Sequence, residues 1–84
     1  MLFNIFIYVK KRKISWYREE YGYSQMEVAK ILSVTQQSVS SWETGRTIPK
    51  TYQMKQLAIM LGVEMEELFY DVFNISEEEK KNVL

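Results

Sequence analysis

From Ile14 onward, apolar residues recur at helical spacing, and the polar positions between them carry start and stop signals. Ile14, Tyr17 and Tyr21 share one helical face, and Gly22 follows as a stop. Ser24 stands three residues before Glu27, a capping box that opens a second helix with Val28, Ala29, Ile31 and Leu32 as its buried stripe. Thr35 can cap a third helix, in which Val39 and Trp42 face inward three residues apart, and Gly45 ends it. Pro49 marks the next loop. A fourth helix over 51–61 buries Met54, Leu57, Ala58 and Leu61 before Gly62, and a short fifth helix follows over 64–69. Residues 2–9, dominated by Phe, Ile, Tyr and Val, predict a short strand; a frayed apolar segment or an extension of the first helix competes evenly with it. The expectation is an all-α, five-helix fold with a possible N-terminal β-strand. It divides into 1–13 (apolar arm and basic run), 14–69 (the helical domain) and 70–84 (acidic segment).

Composition narrows the chemistry. The 84 residues suit one small domain, and 46% hydrophobic content with twelve aromatics supplies a core. The absence of both Cys and His removes disulfides, the usual zinc and copper ligand sets, and the Ser-His and Cys-His nucleophile pairs, so an enzyme is not expected and neither is a cofactor. Glu77, Glu78 and Glu79 read as a solvated face, not a metal site. Eleven basic and eleven acidic residues balance overall, but unevenly: residues 1–13 stand at +4, 14–63 at +1 and 64–84 at −5. A neutral chain with opposed ends can still present a basic face. The apolar run 2–9 is far shorter than the roughly 20 residues of a membrane span, and its basic residues follow it, the reverse of a signal peptide. The chain reads as soluble and cytoplasmic.

Two short helices joined by a tight turn, the second with a polar outer face, form a helix-turn-helix arrangement. Ala29 supplies the small residue a close crossing needs, and Val28, Val34, Val39 and Trp42 lie beneath it. The third helix then exposes Gln36, Gln37, Ser38, Ser40 and Ser41, small or amide side chains without charge. Gln36 and Gln37 open that helix, where a Gln amide can bond adenine N6 and N7 together. Ser38 and Ser41 complete the candidate base-contacting set. Gln25 opens the second helix, where backbone N–H groups and an amide can hold a phosphate. Arg12 and Lys13 precede the first helix and could reach the same strand. Trp42, an aromatic that invites a base-stacking role, reads instead as core.

The runs SQMEVAKILSVT (24–35), QQSVSSWETGR (36–46), IP (48–49) and LAIMLGV (57–63) resemble the Cro/phage-repressor family of helix-turn-helix domains, of xenobiotic-response-element type. The run TQQS, 35–38, is similar to the recognition-helix start of certain lambdoid repressors. The resemblance covers about two-thirds of the chain. It implies a five-helix fold, sequence-specific double-stranded DNA binding, a dimer, and usually repression. It adds Thr44, Arg46 and Lys50, which match positions where the family grips the DNA backbone, and Thr35 joins that phosphate-contacting set. One departure is Ser33, where the family generally has Gly at a position that tends to need positive φ.

The leading expectation is therefore a DNA-binding transcriptional regulator. Its rival is a protein-interaction module or antitoxin whose acidic C-terminal segment binds a partner protein. A single helix-turn-helix reads few base pairs, so a homodimer is expected, and the apolar segment 2–9 is the candidate to hold it together, with Leu68, Phe69, Val72 and Phe73 as a competing surface.

Overall fold

The structure is a computed structural model that describes residues 12–73; the expected strand and dimer contact at 2–9 and the acidic positions 74–84 lie outside the described residues. The described residues form six helices and no strand: α1 (Ile14–Glu20), α2 (Gln25–Leu32), α3 (Gln36–Glu43), α4 (Thr51–Leu61), α5 (Met65–Leu68) and α6 (Tyr70–Phe73).

Local chemistry accounts for the boundaries. Ser24 Oγ accepts from the Glu27 amide at 3.0 Å, and Glu27 Oε1 accepts from the Ser24 amide at 2.7 Å, closing the expected capping box. Thr35 Oγ1 caps α3 by accepting from the Ser38 amide at 3.0 Å. After each of α1, α2, α3 and α4 comes a residue of positive φ: Gly22, Ser33, Gly45 and Gly62. In each case the next amide bonds back five residues, for example Val34 N–H to Ala29 O at 2.9 Å. Ser33 (φ 59°) is the one non-glycine with positive φ among the described residues. The turn between α2 and α3 adopts a left-handed backbone at a residue whose side chain resists it.

The core gathers Ile14, Val28, Ala29, Leu32, Val39, Trp42, Met54, Leu57, Ala58, Leu61, Leu68 and Phe69. Each fully buried large apolar side chain contributes about 1.5–3 kcal/mol. Ala29 and Trp42 are both buried as core. Ile31 departs from its expected role and is exposed. At about 100° per residue it falls off the face shared by Val28, Ala29 and Leu32.

A sixth helix stands among the described residues, where the sequence predicts five. Leu68 and Phe69 are both buried where α5 ends. Phe69 leaves the helix with a non-helical backbone (φ −120°, ψ 47°), and its carbonyl then starts α6 by accepting from the Val72 and Phe73 amides.

Replacing Ser33 with Gly removes the Cβ that opposes a left-handed backbone, at the cost of a freer unfolded chain. The expected net effect of Ser33→Gly is a gain of about 0.5–1 kcal/mol, read as a raised urea midpoint with unchanged slope.

Candidate nucleic-acid interface

The outer face of the α2–α3 unit is organised from a buried carboxylate. Glu43, last residue of α3, is 3% exposed, and such a charge costs several kcal/mol unless partnered. Arg18 of α1 supplies the countercharge, with Nε donating to Glu43 Oε2 at 2.6 Å and Nη2 to Oε1 at 3.3 Å. The Glu43 hydrogen bond raises the Arg18 pKa, and Nη1 bonds the Tyr23 carbonyl at 2.8 Å. Gln25 Nε2 donates to Glu43 Oε1 at 2.9 Å, and Gln25 Oε1 accepts from Gln36 Nε2 at 3.3 Å. A polar chain thus runs from the core to the first residue of α3. It leaves exposed Gln36 with one N–H and its amide oxygen unbonded among the described residues, the donor–acceptor pair that adenine N7 and N6 require.

Gln37 is exposed beside Gln36, while Ser38 and Ser41 are both half-buried. Ser38 Oγ accepts from Thr35 Oγ1 at 3.0 Å, so Ser38 keeps its own proton and Thr35 has committed its own. No acidic residue lies in the first turn of α3. Beyond that helix, Arg46 and Lys50 are exposed, and neither pairs with a carboxylate among the described residues. Thr44 Oγ1 donates to the Ser41 carbonyl at 3.2 Å, a proton that a phosphate would have to win.

Two expected phosphate contacts are engaged elsewhere. Arg12 is 6% exposed, and its guanidinium bonds Asp71, Trp42 O and Thr47 O. It leaves the contact set, because helix-end carbonyls and a carboxylate draw it inward. Lys13 Nζ is exposed but bonds Glu67 Oε2 at 2.9 Å, and Tyr17 Oη donates to the same oxygen at 3.0 Å. Those bonds, from Lys13 first and then Tyr17, hold the Glu67 carboxyl below its usual range and raise both donors. Sequence reasoning missed Arg18 and Glu43. The available signal was spacing: each lies four residues after a fully buried residue, Ile14 or Val39, and so on its inward stripe.

A helix-turn-helix family profile matches residues 14–68. The chain is also similar to the uncharacterised HTH-type transcriptional regulator YgzD of Bacillus subtilis (strain 168), at 28% identity over 60 residues, covering 71% of this chain and 91% of that protein. No solved structure matches.

Removing one partner of the buried pair should be costly. Arg18→Met is expected to lose about 3 kcal/mol or more in urea unfolding, whereas Arg18→Met with Glu43→Leu should recover much of it. Glu67, whose folded pKa is depressed, stabilises the fold above its unfolded pKa, and that contribution disappears as pH falls through the folded value. Melting wild type and Glu67→Gln between about pH 6 and 3 should therefore show a gap that narrows on acidification.

Proposed function

The chain belongs to the Cro/phage-repressor type of helix-turn-helix family, and on that basis we propose that it is a sequence-specific double-stranded DNA-binding transcriptional regulator, acting as a repressor. The α3 helix enters the major groove. Gln36 and Gln37 read base edges first, with Ser38 beside them and Ser41 one turn along, and Gln25, Thr35, Thr44, Arg46 and Lys50 face phosphates. The observation that carries this reading is the Gln36–Gln25–Glu43–Arg18 chain, which holds one readout amide on a buried ion pair while leaving its base-pairing atoms free. Pre-organisation of that kind favours specificity, because the amide need not be ordered on binding. The likeness to YgzD, an HTH-type transcriptional regulator by name, supports the regulatory half of the proposal. Two protomers, reading half-sites about 34 Å apart, supply the specificity a single unit lacks.

Binding sites selected from a random duplex pool test this directly. Gln36→Ala should cost about 1–3 kcal/mol at one base position and relax preference there. Arg46→Ala should weaken all sequences alike and reduce the log–log salt slope by about one for each phosphate no longer neutralised. Unchanged base preference in Gln36→Ala, or affinity indifferent to salt, overturns the reading.

A further inference from the structure

The C-terminal end of α3 poses an electrostatic problem. The last four carbonyls of a helix lack intrahelical partners and carry partial negative charge. The α3 helix has no basic residue in its last turn and ends on Glu43, an anion at the negative pole. Residues after the helix answer part of this: Thr44 N–H bonds Ser40 O at 3.1 Å, Arg46 N–H bonds Ser41 O at 2.9 Å, and Gly45 N–H reaches Trp42 O at 3.3 Å.

Arg12 answers the rest. Its amide donates to Glu43 O at 3.0 Å, and its Nη1 donates at 2.7 Å to both Trp42 O and Thr47 O. One residue thus grips the last turn of α3 and the far side of the loop carrying Thr44 and Arg46. The opposite edge of the guanidinium is fixed in turn. Nε and Nη2 form a two-bond fork with Asp71 of α6, each bond 3.0 Å, and the group lies 5.5 Å from the centroid of the Phe69 ring. The Arg12 side chain is 3% exposed, whereas that of Asp71 is 46% exposed.

We infer that Arg12 and Asp71 are positioning residues for DNA binding. The α6 carboxylate orients the guanidinium, and the guanidinium sets the end of α3 and the loop that presents Arg46 to phosphate. This rests on the proposed role of α3 and extends control of that site to the far end of the described chain. The fork touches no base-facing residue, so it governs the backbone grip and leaves base preference alone.

The test uses the full 84-residue chain and the tightest duplex selected from a random pool. Asp71→Ala removes the fork's acceptor at a half-exposed position; Arg12→Lys keeps the charge but loses the fork, and serves if the first variant does not fold. In a variant with wild-type helical circular dichroism, the expected result is a Kd raised about fivefold or more, with a log–log salt slope shallower by about one per protomer and the same preferred bases. A purely structural role would lower the unfolding midpoint without moving the slope. A folded variant with wild-type Kd and slope overturns the inference while the DNA reading stands. A wild-type chain that selects no duplex overturns the DNA reading, and this inference with it.

Discussion

A charge in the wrong place governs this domain. Glu43 puts an anion at the negative end of α3 and inside the protein, two circumstances that each disfavour it. Its presence obliges the neighbouring elements to supply positive charge and hydrogen-bond donors. Arg18 comes from α1 and Gln25 from the start of α2 to meet the carboxylate, while the Arg12 amide bonds the Glu43 backbone carbonyl, so three segments are tied to the end of one helix. A hydrocarbon at this position would pack as well and specify less. The carboxylate fixes direction, because only certain placements of Arg18 and Gln25 satisfy it.

The same carboxylate links stability to readout. Gln25 bonds Glu43 with its nitrogen and receives Gln36 on its oxygen, so the amide orientation at the start of α3 is inherited from the core. Gln37, one residue further, has no such tether among the described residues and is free to adapt. Neighbouring glutamines of identical chemistry therefore occupy different physical situations, one preset and one adjustable.

Much of this was legible in the sequence. Ser24 with Glu27, Thr35 before its helix, and the glycines after α1, α3 and α4 act within a few residues, so a local pattern suffices to place the helices. The stripe Met54, Leu57, Ala58 and Leu61 is buried as its period requires. Ser33 carries the strain that its place in the turn implied. What was hidden depends on contacts across the chain. Arg12 stands in the run KKRK and looks like its solvated neighbours; only Asp71, 59 residues away, and the carbonyls of α3 make its surroundings inward-facing. Arg18 and Glu43 each fall on an inward stripe by spacing, but neither partner is visible from the other's neighbourhood. The break at Phe69 falls where no Gly or Pro announces it, so no local signal places it.

The Arg12–Asp71 fork also has a topological consequence. These residues are 59 positions apart in sequence, yet their side chains touch. Joining residues so far apart closes a long loop, and the entropy of that closure is a cost the fork can offset only once the helices between them are in place.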